Sequence, residues 1–378
     1  MHQTQRQQTA DLLKARGLDC ALFAFRESVT WLTGFAPPVQ TGPNLFSGGP
    51  ALVWYAGGHF WLIVQDVYAD LAAPFAQEAD GTLITYATYT IEQPILSVDH
   101  LAAALRPLVQ DMRSAPRVGV ELDWLTARLH RTLTEAAASV EIVPVDGWLA
   151  PLRLIKTEEE LALLRRNFAL CDIGQAAARA ATYAGQREID VWAAAQAAIN
   201  GAAGCRVPLG NDCVVGYRSP NNIGGWPLDY TIRAGDSLIV DLSVVAGGYW
   251  SDGCGTYYAG EPTPRQQAIH QVARAALEFG IEQVRPGIAA RELDRRIRAF
   301  IEQAGYPVYP HHTGHGVGAS GHEAPRIVPY NDETLQAGMV IMLEPGIYFP
   351  GETGVRLEHG LLVTPDGAEV LTQHDTGW

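Results

Sequence analysis

Ser237-Leu-Ile-Val-Asp-Leu-Ser-Val-Val-Ala246 and Tyr249-Trp-Ser-Asp-Gly-Cys-Gly-Thr-Tyr-Tyr258 are two β-prone runs joined by Gly247-Gly248, and their reading decides the fold. A two-residue glycine turn between such runs signals a hairpin, because glycine reaches the positive φ that a tight turn between twisted strands demands. If Ala246 pairs with Tyr249, then Ser243 faces Asp252 and Asp241 faces Cys254. Alternation puts Asp241 and Ser243 on one side, so the two aspartates share a face with Cβ atoms about 7 Å apart. That is close enough to reach a shared pair of metal ions. Aspartate is disfavoured in strands, so the pair asks for a reason. The plain alternative is that both sit on the solvent face of a half-exposed sheet.

Segments further along the chain weigh against that alternative. His311-His-Thr-Gly-His-Gly-Val-Gly318 holds three histidines among glycines, where the backbone can come close to a site. Met339-Val-Ile-Met-Leu-Glu-Pro-Gly346 is an apolar strand ending in a carboxylate, and Gly354-Val-Arg-Leu-Glu-His359 places Arg356 and Glu358 on one side of another strand. Carboxylates buried at strand ends need partners or a metal to offset their desolvation. Four carboxylates and an imidazole form a hard, oxygen-rich set suited to Mn2+, Co2+, Fe2+ or Zn2+. Gly316-Val-Gly-Ala-Ser-Gly321 matches the dinucleotide fingerprint literally, but it lacks the preceding parallel strand and the later ribose-binding acid.

Towards the N-terminus, Val143-Pro-Val-Asp-Gly-Trp-Leu-Ala-Pro151 is rich in turn formers, and Ile155-Lys-Thr-Glu-Glu-Glu160 after it reads as a helix start with a Thr157–Glu160 capping box. This sets a boundary between an N-terminal domain, 1–150, and a catalytic domain, 151–378. In the first, strand-like runs Ala21–Phe25, Ala51–Tyr55 and Phe60–Val64 alternate with helical stretches Val98–Val109 and Thr126–Ala138, an α/β pattern. In the second, helices Glu158–Thr182, Ile189–Ala203, Pro264–Val284 and Ala290–Gly305 should cover a mostly antiparallel sheet, giving an α+β domain.

With 378 residues, two domains are the better expectation. Apolar residues at 47% and charged residues at 18% exclude a disordered or fibrous chain. A formal charge of −14 argues against nucleic acid or an anionic membrane as partner and for small substrates. The polar start, Met1 to Leu18, carries no apolar run for a signal peptide or membrane span, which places the expectation in the cytoplasm. Five cysteines without a Cys-x-x-Cys pair read as reduced, buried thiols.

At these segments the chain resembles the M24 metallopeptidase family, which contains methionine aminopeptidase, aminopeptidase P and prolidase. Asp241, Asp252, His315, Glu344 and Glu358 match the five family ligands in order and approximate spacing. Val29-Thr-Trp-Leu-Thr-Gly-Phe35 and Ile155–Glu160 resemble signatures of the N-terminal and catalytic domains, and an N-terminal domain of this length points to the prolidase and aminopeptidase P branch. The resemblance implies a pita-bread catalytic domain behind a creatinase-like N-terminal domain. It also implies two divalent ions, Mn2+ first among them, with Asp241 on one, His315 and Glu344 on the other, and Asp252 and Glu358 bridging. Their water would attack the scissile carbonyl. Glu344 is then the proton shuttle, His322 the histidine that steadies the tetrahedral intermediate, and His311 a histidine behind the ligands. Arg356 orients the bridging glutamate and is a candidate to hold a substrate carboxylate.

One departure bears on substrate. The family usually has another substrate-binding histidine about seventeen positions before the first aspartate, where this chain has Gly224. His312, Trp226 or Asp229 would have to take its place. The implied activity is cleavage of Xaa-Pro dipeptides by a homodimer. Aminopeptidase P action on longer peptides is the alternative, followed by hydrolysis of small non-peptide amides and by a non-catalytic binding role on the same fold.

Overall fold

The two glycines of Gly247-Gly248 have φ of 62° and 79°, the left-handed turn their strands require. Ala246 pairs with Tyr249, Val244 with Ser251, and further out Asp241 with Cys254 and Ser237 with Tyr258, so the expected register runs through the whole hairpin. The computed structural model describes residues 2–37, 48–92, 94–112, 117–136, 140–210, 212–218 and 224–378. The chain divides into two compact units, Met1–Leu152 and Arg153–Trp378.

In the first unit, six strands lie in the order Gly81–Tyr86, His59–Gln65, Leu52–Ala56, Cys20–Phe23, Arg117–Val120 and Glu141–Pro144. The three central strands are antiparallel and the outer pairings parallel. Helix Ser97–Asp111 lays Leu101, Leu105 and Val109, one turn apart, against Leu22, Trp54, Ile63 and Val118. Each such leucine, wholly buried, contributes roughly 2 kcal/mol. The strand expected to reach Phe25 stops at Phe23, because Phe25 caps helix Arg26–Thr33 instead. That helix holds most of the Val29–Phe35 signature and ends at Gly34, whose φ is 72°. The second expected helix is Ala127–Ala136; Ala137 and Ala138 lie outside the described residues. The polar start forms a helix, Gln3–Ala15.

The second unit carries helices Glu158–Ala181, Glu188–Ala203, Pro264–Gln283 and Ala290–Gln303, and its described strand pairs are all antiparallel. The capping box is present: Thr157 Oγ1 accepts from Glu160 N at 3.3 Å and Glu160 Oε2 from Thr157 N at 3.0 Å. Helices Pro264–Gln283 and Ala290–Gln303 pack Ile269, Leu277, Leu293 and Ile297 against Ile341, Leu343, Ile347 and Val355 of the sheets. No helix among the described residues is long and apolar enough to cross a membrane.

Several runs expected as single strands are broken. The first hairpin arm divides into Ser237–Asp241 and Ser243–Ala246, and the second into Tyr249–Ser251 and Cys254–Tyr258. Val340–Leu343 stops before Glu344, and Gly346–Phe349 follows. The run expected to hold Arg356 and Glu358 in one strand ends at Arg356, and His359–Val363 begins another sheet. At the first break the hairpin pair Leu242–Gly253 keeps one bond, Leu242 N to Gly253 O at 3.0 Å, while Gly253 N turns to Asp252 Oδ1 at 3.1 Å and Leu242 O accepts from Cys171 Sγ at 3.2 Å; beyond Arg356, Glu358 N donates to Cys254 O at 2.9 Å. The four acidic residues of interest therefore sit where chains change sheets.

Candidate metal centre

Asp241 closes the strand Ser237–Asp241, and its Oδ2 accepts from Arg356 Nη2 at 2.7 Å. Asp252 sits in the break opposite, where Ser243 Oγ donates to its Oδ1 at 2.9 Å, as the hairpin register requires. The aspartates meet, as their shared face implied: the Asp241 carboxylate is near enough to push that of Asp252 up. His315 occupies the short strand Gly314–Gly316 between glycines. A Cβ at Gly314 would lie 1.9 Å from Met342 O, and one at Gly316 2.1 Å from Ala324 O, so only glycine lets this strand lie between its two neighbours. The Nδ1–H of His315 donates to the Gly316 carbonyl at 2.9 Å. Its lone pair is thereby on Nε2, which is 3.8 Å from Asp252 Oδ2 and 3.6 Å from Glu344 Oε1.

Ligand atoms of Asp252, His315 and Glu358 lie within 4.8 Å of one another, and so do those of His312, His315 and His322. All five expected ligands line one cavity of about 460 Å³, together with Asp212, Gly224, Trp226, His311, His312, His322 and Arg356. Asp241 Oδ1 is buried and accepts no hydrogen bond, whereas Glu344 Oε1 has His312 Nε2 at 2.6 Å, whose proton is placed there because His312 Nδ1 accepts from Arg326 Nη1 at 3.1 Å. Buried carboxylates, one oxygen of them without a partner, beside the His315 lone pair fit hard divalent ions.

Burial pushes the Asp252 carboxyl well up, helped by the nearby charges of Asp241 and Glu344. Glu358 rises for the same reason, from burial and then from Asp252 and Asp241. Such a group of acids cannot all ionise without a cation among them. Burial holds His315 well below the usual imidazole range and lowers His322 to about 4 and His311 to about 3, so these rings are neutral near pH 7.

The remaining expected residues divide. His322 stacks on His315 with ring centroids 4.0 Å apart. His311 donates from Nδ1 to His312 O at 2.8 Å and accepts at Nε2 from Tyr348 OH at 2.8 Å, which fixes its ring behind Glu344. Arg356 meets Asp241 and, also at 2.7 Å, Asp212. Of the stand-ins for the missing histidine, His312 and Trp226 line the cavity, whereas Asp229, its side chain 80% exposed, pairs with Arg187 at 3.1 Å and is absent from the lining. Pro220 to Ile223, beside Gly224, lie outside the described residues.

Asp212 escaped the sequence reading. It belongs to no recognisable motif, and the strand it precedes, Cys213–Val215, is only three residues long. Its signal is tertiary: its main-chain O accepts from Asp241 N at 2.9 Å, which fastens it to the ligand strand. Burial raises its carboxyl to about 6 against the opposing pull of Arg356.

The family model of metallopeptidase family M24 matches residues 162–365, and that of the creatinase/prolidase N-terminal domain residues 5–155. A Xaa-Pro dipeptidase of Pyrococcus furiosus is 33% identical over 266 residues, 69% of this chain and 75% of that protein. The crystal structure of a prolidase from Pyrococcus horikoshii is similar with a TM-score of 0.82 and 25% identity, covering 98% of this chain and 99% of that one. A Xaa-Pro dipeptidase structure from Bacillus anthracis is similar with a TM-score of 0.82 and 26% identity, over 100% and 99% of the two chains.

Proposed function

The chain belongs to metallopeptidase family M24, and from that premise we propose that it hydrolyses Xaa-Pro bonds, acting as an Xaa-Pro dipeptidase. The carrying observation is the buried cavity that gathers Asp241, Asp252, His315, Glu344 and Glu358 and leaves Asp241 Oδ1 without a partner. These five would hold two divalent ions, with Mn2+ as the first choice. When bound, the ions supply Lewis acidity and lower the pKa of a water to near neutrality. The names of the similar proteins support the proline specificity.

The chain's own groups supply the remaining chemistry. Glu344, buried in the cavity wall with His312 Nε2 at 2.6 Å from its Oε1, takes the proton of the attacking water and delivers it to the leaving proline nitrogen. His322, neutral and at the cavity edge, donates to the carbonyl oxygen as negative charge builds on it. His311, held by Tyr348, and Arg356, held by Asp241, are positioning residues. The cavity, about 460 Å³, suits a small peptide. The protein is a cytoplasmic homodimer in this reading, and sedimentation equilibrium at micromolar concentration tests the dimer.

Metal-stripped protein re-supplied with Mn2+ or Co2+ should cleave Ala-Pro, Met-Pro and Leu-Pro in preference to Ala-Ala. Cleavage mainly of Ala-Pro-Ala would replace the dipeptidase reading with aminopeptidase P. No cleavage of any of them, with both metals bound, would overturn the peptide reading in favour of a non-peptide amide.

A further inference from the structure

We propose that Asp212 selects substrates with a free amino terminus by receiving their α-ammonium group, an assignment that rests on the Xaa-Pro reading above and deepens it. Gly224, where the family pattern asks for a histidine, has φ 128°, a conformation that side chains rarely adopt. A Cβ built there would meet Asp212 Oδ2 at 1.7 Å and Cγ at 2.2 Å. The Asp212 carboxylate thus occupies the volume that a side chain at 224 would need, and the two exclude each other. An imidazole donor on this wall of the cavity is exchanged for an anionic acceptor.

The carboxylate is fixed in place. Gly225 N donates to Oδ1 at 2.9 Å and Arg356 Nη2 to Oδ2 at 2.7 Å. Each oxygen has capacity for a further hydrogen bond, and the side chain remains 20% exposed while lining the cavity. The same Nη2 of Arg356 also bonds Asp241 Oδ2 at 2.7 Å, so one guanidinium stands between two carboxylates. Asp241 would be taken up by an ion, which leaves Asp212 as the carboxylate here that a substrate group can meet. A substrate carboxylate brought here would be repelled, whereas an ammonium group gains both charge and two acceptors. Arg356 is therefore committed to the protein's own acids rather than to a substrate carboxylate.

The probes are alaninamide and lactamide, which differ only in an ammonium group replaced by a hydroxyl, titrated calorimetrically into Mn2+-loaded protein. The parent protein should bind alaninamide at least about tenfold more tightly. Asp212→Asn keeps the size and the acceptor for Gly225 N but removes the charge and the acceptor for Arg356 Nη2, which retains its bond to Asp241. It should abolish that preference and raise KM for Ala-Pro by about tenfold, with lactamide binding and the KM of lactyl-proline held within about twofold and metal content unchanged. Gly224→Ala, whose Cβ must displace the carboxylate, should cause the same selective loss and serves if the first variant folds poorly. Equal weakening of both probes in these variants, or undiminished alaninamide binding, would overturn the assignment. Parent protein that prefers alaninamide but cleaves no Xaa-Pro bond would sink the peptidase reading and leave the ammonium site standing. Cleavage of Ala-Pro with no amine preference would do the reverse.

Discussion

Returning metal to stripped protein should release protons, because Asp252 and Glu358 cannot both be ionised without it. Their ligand atoms lie within 4.8 Å of each other. At an effective dielectric of about 20, two unit charges that far apart repel by about 3.5 kcal/mol. That repulsion, with burial added to it, keeps a proton on one of the two carboxyls well above the usual carboxylate range. Both groups are raised, and the sign follows: the metal-free fold is favoured by these protons at low pH and loses that contribution as pH rises through the raised values. Metal affinity should accordingly climb with pH. Calorimetric titration of Mn2+ at about pH 6, in two buffers of different ionisation enthalpy, reads the protons directly and should give at least about one per protein. An apparent enthalpy independent of buffer would refute the reasoning, since it would mean the carboxylates are already ionised and do not share a site.

Ser243→Ala removes the donor to Asp252 Oδ1, a bond to a buried charged group worth about 1.5–3 kcal/mol, and metal affinity should fall by about tenfold or more with the circular dichroism spectrum unchanged. Gly314→Ala forces a Cβ to within 1.9 Å of Met342 O and must part the strand carrying His315 from Val340–Leu343, which leads into Glu344; thermal melts should show a loss of at least about 2 kcal/mol, and metal content should drop. In the N-terminal unit, burial pushes Glu121 up to about 7 although Ala24 N, Phe25 N and Ser28 Oγ all donate to it. Being raised, it contributes stability that is complete below the usual glutamate value and is lost as pH climbs to about 7, a difference of about 3 kcal/mol. Glu121→Gln keeps one oxygen to accept from Ala24 N and Phe25 N, presents an NH2 that Ser28 Oγ can accept from, and should flatten that slope in denaturant melts across the range.

Residues near one another in sequence carried most of what was legible beforehand. Turn chemistry at Gly247-Gly248 determines its register by itself, because a two-residue loop admits few pairings, and that register brought Ser243 onto Asp252 and the two aspartates onto one face. The Thr157–Glu160 box closes within four residues, and the glycines around His315 announce a backbone approach that no larger residue tolerates. Long-range packing decided the rest. Hydrophobic alternation predicts strands but not where they end, so the breaks at Leu242, Asp252, Glu344 and Glu358, which turn four carboxylates into one cavity, were invisible until the backbone found its partners across sheets. Asp212 and Arg356 are 144 residues apart, and their bond exists only because the strand ending at Asp241 lies between them. Local sequence specifies turns, caps and the types of group that can bind metal; the low dielectric and fixed geometry that set their charge come only from burial by the whole domain.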